Sequence, residues 1–333
     1  MGTRARTPGS GAHVSRADTI EQRPLGRSGV QLTTLGFGAW EIGGGTTWGK
    51  VDADAAASAL ARAVDLGVNW VDTAHVYGGG GGSEAIVGQV LADHPDVQVS
   101  TKLAPEPDDA YTAAGMRREL QAGLQRLGRD HVDVYLLHWP SDVVPLAETW
   151  GAMNDLKAEG LVRAIGLSNY GSADVTLCRS VAPVDVLQMP MSLLDLDTYD
   201  DQVDSATQYG TGIVTYGTLA YGLLAERQRR HYDDWRGGAV ARDDFFVDEN
   251  YLRFFAPEAR TGIDQRLEAL STAATEGDVQ LVDAALQWVV AQRGVTGALV
   301  GTTNADHVAR NVAAVTEPLR AHTAAALSAA ARA

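Results

Sequence analysis

From about residue 30 onward, short β-branched or apolar runs alternate with longer stretches whose apolar residues recur at helical spacing. The runs TTLGFG (33–38), VNWVDT (68–73), VQVSTK (97–102), VDVYLLH (132–138), VRAIGLS (162–168), DVLQM (185–189), GIVTYG (212–217) and GALVGT (297–302) predict strands. Between them, DADAAASALARAVDLG, SEAIVGQVLADH, TAAGMRRELQAGLQRLG, LAETWGAMNDLKAEG and SADVTLCRSVA predict helices, several opened by Asp or Ser and closed by Gly. Regular alternation argues for a parallel sheet, and eight strands is the number that closes a barrel. A doubly wound sheet is the competitor, but its G-x-G-x-x-G fingerprint after the first strand is absent. The expected class is therefore α/β, as a (β/α)8 TIM barrel.

Three pieces depart from the alternation. PLGRSGVQL (24–32) carries a Gly-containing turn between short extended runs and predicts a β-hairpin across the barrel floor. The segment 225–260 is too long and charged for an ordinary connection, which predicts an extended loop over the C-terminal face. An Ala-rich helix ends the chain. Residues 1–20 read as a disordered leader, leaving 21–333 as one barrel domain.

Composition narrows the function. A formal charge of −15 opposes nucleic-acid or anionic-membrane binding, since both need a basic stripe. No apolar run reaches membrane-spanning length. The one cysteine, Cys178, falls in a predicted helix as a small apolar residue and permits no disulfide within the chain, which suits a reducing cytoplasm.

Candidate chemistry lies at the strand ends. Asp72 and Tyr77 follow VNWV, Lys102 closes VQVSTK, and His138 follows VDVYLL. Neighbouring strands of a parallel barrel present their C-terminal ends to one pocket, so these four should converge on a proton-transfer site. There Tyr77 is the expected acid, its pKa lowered by the Lys102 ammonium, which Asp72 anchors. His138 can donate a hydrogen bond to a carbonyl oxygen. The His, Asp and Glu clusters of a metal hydrolase are not found, so no metal is expected. The glycine run Gly78–Gly82 lacks the Lys-Ser/Thr end of a P-loop and reads as flexible loop.

DTAHVYG, STKL, LLHWP and GLSNY, in this order and at strand ends, resemble the aldo-keto reductase family over about residues 22–315, and TYGTLAYGLL resembles its bacterial branch. The resemblance implies an NAD(P)H-dependent carbonyl reductase, with Asp72, Tyr77, Lys102 and His138 as the catalytic four. It places Ser168, Asn169 and Gln188 on the nicotinamide carboxamide and Tyr216 against the ring. Gly217, Thr218 and Leu219 match the pyrophosphate turn, with Gly38 in the same cofactor-binding set. Gly301, Thr302, Thr303, His307 and Asn311 fall on the adenosine half, and Trp40 and Trp139 line the carbonyl pocket. Gly301, Asn304 and His307 stand where family members often carry cations for the NADP 2′-phosphate, which weakens the preference for NADPH over NADH. NADPH is still expected from the family, with NADH possible. Pro190 and Met191 replace a common Glu and Tyr. The expected substrate is a small-molecule carbonyl or alcohol, with direction, identity and oligomeric state unknown. The alternative is a cofactor-occupied regulatory module like the potassium-channel β-subunits of the same fold.

Overall fold

All eight predicted strands are present in the computed structural model, which describes residues 19–225, 232–237 and 249–333. The hairpin strands β1 (Gln22–Pro24) and β2 (Gln31–Thr33) pair antiparallel. The barrel strands are β3 (Leu35–Gly38), β4 (Trp70–Asp72), β5 (Gln98–Leu103), β6 (Val132–Leu137), β7 (Val162–Ser168), β8 (Val186–Pro190), β9 (Gly212–Tyr216) and β10 (Val295–Val300). Each pairs parallel with its neighbour in sequence order, and β10 returns to β3 to close the barrel.

Helices form the outer layer: α1 (Gly45–Trp48), α2 (Ala53–Asp65), α3 (Gly82–Val90), α4 (Ala113–Leu127), α5 (Leu146–Ala158), α6 (Ser172–Val181), α7 (Asp197–Tyr209), α8 (Glu249–Leu252), α9 (Arg260–Glu276), α10 (Leu281–Val290), α11 (Ala305–Thr316) and α12 (Ala321–Ala331). Their boundaries follow local chemistry. Asp52 and Asn304 cap α2 and α11 by accepting from backbone N–H groups of the first turn, and left-handed Gly128 ends α4. The expected Ala-rich final helix is α12, set off from α11 by the stretch around Pro318; its Ser328 accepts a 2.8 Å hydrogen bond from the Trp288 indole of α10. Among the described residues no helix is long and apolar enough to cross a membrane.

Two cores result. The larger lies between sheet and helices. The smaller fills the barrel and is centred on Trp70, Val134, Leu136, Val186, Val214 and Leu299, with Leu25, Val30 and Leu32 of the hairpin below. The Trp70 ring occupies the space that side chains on Gly36 and Gly297 would need, and its indole donates to Thr33 O at 2.9 Å. The barrel is thus plugged at its floor by the Trp70 ring and the hairpin. Residues 1–18 lie outside the described residues, while Ile20 is already buried in the outer core.

Candidate active site

Asp72 ends β4 in register with Ser100 of β5, so both carboxylate oxygens face the side chains of neighbouring strands. One accepts from Ser100 Oγ at 2.7 Å and Gln188 Nε2 at 2.9 Å; the other is in contact with Lys102 Nζ. Lys102 is fully buried and also donates to Thr73 O at 2.8 Å and to the Tyr77 hydroxyl at 3.2 Å. Its three donors are thereby used, and the ammonium has one orientation.

Tyr77 reaches this point from the turn after β4. Gly78 packs against the Gly43 backbone at φ +76°, where a Cβ would collide with the Gly43 carbonyl, so glycine is required next to Tyr77. The glycine run is therefore not simply flexible loop, as its sequence suggests: Ser83 N donates back to Tyr77 O, Gly81 is the N-cap of α3, and Gly82 is its first residue. His138, just past β6, donates its backbone N–H to Leu103 O, stacks on Trp139 at 3.5 Å, and lies 5.7 Å from the Tyr77 ring.

One electrostatic expectation is corrected. Burial, with the Asp72 charge adding to it, pushes the Tyr77 phenol well above its ordinary value. The Lys102 hydrogen bond to the phenol does not reverse this, because Asp72 offsets the ammonium charge at contact and burial pulls the ammonium below its usual range. Tyr77 therefore holds its proton. Burial, followed by the Lys102 charge, keeps His138 well below the usual imidazole range, so the ring is neutral at pH 7.

A cavity of about 820 Å³ opens from this cluster across the C-terminal mouth. Lys102 sits behind Asp72 and Tyr77; every other residue that the resemblance gives a catalytic, cofactor or carbonyl-pocket role lines the cavity, whereas Pro190 and Met191 do not. Ser168 ends β7, and Asn169 follows at φ +65°. The Asn169 amide donates to His138 O at 2.9 Å and accepts from the Tyr216 hydroxyl at 2.6 Å, which ties β6, β7 and β9 together at the mouth. Gln188 is partly committed to Asp72, leaving one N–H and its carbonyl for another partner. Gly217, Thr218 and Leu219 follow Tyr216, while Gly301, Thr302 and Thr303 follow β10, with His307 and Asn311 on α11.

The cavity suits a dinucleotide. Its size lies in the range of small-molecule sites. Three of its residues carry buried polar atoms with no protein partner, Trp48 Nε1, His138 Nδ1 and Thr218 Oγ1. Gly38 and Gly301 approach so closely that a Cβ on Gly38 would lie 3.3 Å from Gly301 N, leaving bare backbone at the trench floor.

The chain matches the aldo/keto reductase family over residues 34–332. The chain belongs to that family. It is an NAD(P)H-dependent oxidoreductase acting on CH–OH or C=O groups. It is 31% identical over 317 residues to the NADH-specific methylglyoxal reductase of Escherichia coli, covering 89% of this chain and 94% of that one. A probable voltage-gated potassium channel subunit beta of Arabidopsis thaliana is 28% identical, with 89% and 91% covered. The aldo/keto reductase of Klebsiella pneumoniae solved with NADP and acetate superposes with a TM-score of 0.70 at 25% identity, covering 93% and 95%.

Several lining residues of this reductase escaped the sequence reading. Trp48, Tyr221 and Tyr251 wall the mouth, with Trp235 buried behind them; Trp40 packs 5.1 Å from Trp48, 5.9 Å from Trp235 and 5.9 Å from Tyr251. Trp235 and Tyr251 come from the segment expected to cover the mouth, and its described parts do so; residues 226–231 and 238–248 lie outside the described residues. The tryptophans spaced through WEIGGGTTW were the available signal. Glu41 was missed too. His131 is exposed at the opposite end of β6, and burial pushes the Cys178 thiol up to about 12, which leaves it inert.

Proposed function

We propose that the chain reduces the carbonyl of an aldehyde, aldose or ketone to an alcohol, reversibly, with Tyr77 as the proton donor. When bound, a reduced nicotinamide dinucleotide supplies the hydride. The observation that carries this reading is the Tyr77 hydroxyl, still protonated, 3.2 Å from Lys102 Nζ, with the neutral His138 ring beside it on the cavity wall.

The substrate oxygen sits between Tyr77 and His138, whose imidazole donates a hydrogen bond that fixes the carbonyl. As negative charge grows on that oxygen, Tyr77 releases its proton to it. Lys102 then stabilises the phenolate left behind, and Asp72 keeps Lys102 in place. Proton donation and pre-arranged electrostatics each contribute roughly 100-fold or more. Trp40 and Trp139 exclude water around the reacting carbonyl.

Ser168, Asn169 and Gln188 hold the nicotinamide carboxamide, and Tyr216 stacks on the ring. Gly38 and the Gly217–Leu219 turn receive the pyrophosphate; Gly301, Thr302, Thr303, His307 and Asn311 receive the adenosine half. NADPH is the cofactor from the family pattern. Use of NADH is supported by the missing cations at 301, 304 and 307 and by the NADH-specific relative.

A regulatory module is the second reading, favoured by the channel-subunit relative. Steady-state oxidation of NADPH and NADH with a panel of aldehydes, aldoses and ketones separates the two. Turnover of at least one class is expected; tight cofactor binding with no turnover across the panel would favour the module.

A further inference from the structure

Glu41 lines the cavity yet has no part in the chemistry above. It opens the short turn Glu41–Gly43 after β3, and its carboxylate lies across Gly301, where a Cβ on residue 301 would strike it. The carboxylate therefore stands between the Tyr77 end of the cavity and the turn after β10. The cations lining that space are engaged elsewhere. Arg236 grips Asp234 and donates to Tyr221 O at 3.0 Å; Arg310 is held by Asp283 and Gln280. Behind the wall, Lys102 is compensated by Asp72. The remaining titratable groups lining that cavity are the phenols of Tyr77, Tyr216, Tyr221 and Tyr251, neutral His138, and His307 on exposed α11. No ion pair joins the Glu41 carboxylate to any of these.

We propose that Glu41 faces the phosphates of the bound dinucleotide as a like charge, so that cofactor binding takes up a proton onto its carboxylate. The inference rests on reading this cavity as the dinucleotide site. A dinucleotide running from Tyr216 to the turn after β10 has its phosphates along the stretch that Glu41 borders, where like charges disfavour the ionised carboxylate. Burial has already raised the Glu41 pKa to about 7 in the free protein, opposed by its own backbone N–H and by Arg236. Phosphate at the same place raises it further. Below about pH 7 the group is neutral in both states and binding carries no penalty; above it the free protein is ionised and must recapture a proton. Affinity therefore falls with rising pH until the higher pKa of the complex is passed.

The test is NADH affinity against pH by calorimetry, in buffers of different ionisation enthalpy, for the wild type and Glu41→Gln. NADH is the probe because its pyrophosphate does not titrate near neutrality. The wild type should bind on the order of tenfold more weakly at pH 8.5 than at pH 6.5, with up to one proton taken up. Glu41→Gln should bind at both pH values about as tightly as the wild type at pH 6.5, without proton uptake, and Glu41→Ala should show the same flat profile. A wild type without pH dependence, or variants that keep its slope and uptake, would overturn the inference while leaving the dinucleotide site intact. Absence of NADH and NADPH binding in every protein would instead remove the site itself, and this inference with it.

Discussion

Both ends of the barrel leave buried polar atoms unpaired among the described residues, Thr34 Oγ1 at the floor and His138 Nδ1 and Thr218 Oγ1 at the mouth, but only those at the mouth line the large cavity. At the floor, Asp133 accepts from Val99 N at 2.8 Å and pairs with Arg163; Asp185 accepts from Ile165 N at 2.9 Å and pairs with Lys157. Arg23 covers the carbonyls of Val290 and Val295, and the Trp70 indole donates to Thr33 O. Charge there is compensated by its immediate neighbours and supports packing. At the mouth, His138 Nδ1 and Thr218 Oγ1 have no partner, Tyr77 keeps its proton under desolvation, and the Glu41 pKa is raised to about 7. A buried polar group without a partner costs about 1–3 kcal/mol, so the mouth holds unsatisfied groups that a bound molecule can satisfy. Stability is concentrated at one end and reactivity at the other.

Substitutions at each end should separate along that line. The largest combined effect is expected from Lys102→Met, which crosses it: turnover should fall on the order of 100-fold or more, and stability should drop by about 3–5 kcal/mol because Asp72 is left as a buried, uncompensated charge. Steady-state kinetics and denaturant melts read the two losses separately; loss of stability alone would make Lys102 a structural residue. Trp70→Ala should cost about 3–5 kcal/mol in a denaturant melt by emptying the inner core, while kcat of the folded fraction stays near normal. A large fall in its kcat would show that the ends are coupled. Arg163→Ala should cost less than about 1 kcal/mol with no change in kinetics, since its pair with Asp133 is half exposed and Asp133 keeps its bond to Val99 N.

The barrel was legible because its signal is local: each strand is a short apolar run, several helices are opened by a capping side chain or closed by a left-handed glycine, and the predicted strand limits fall within about two residues of those observed at every strand. The convergence of Asp72, Tyr77, Lys102 and His138 followed from strand ends alone. The direction of the Tyr77 shift was not legible, because it depends on how completely the Asp72 contact offsets Lys102 and on how deeply the phenol is recessed. Trp235 and Tyr251 were hidden for a related reason. They lie in a charged segment whose period matches no regular element, and only tertiary packing against Trp40 and Tyr221 brings them over the site. Glu41 reads as an ordinary surface carboxylate until Gly301 is seen beneath it.

The central claim is that the Tyr77 hydroxyl delivers the proton in a site that binds cofactor independently of it. The direct measurement is Tyr77→Phe, with kcat on the best substrate of the panel and cofactor Kd determined on the same preparation. A fall in kcat on the order of 1,000-fold with Kd unchanged within about twofold is predicted. A Tyr77→Phe enzyme that keeps kcat within tenfold of the wild type would contradict it.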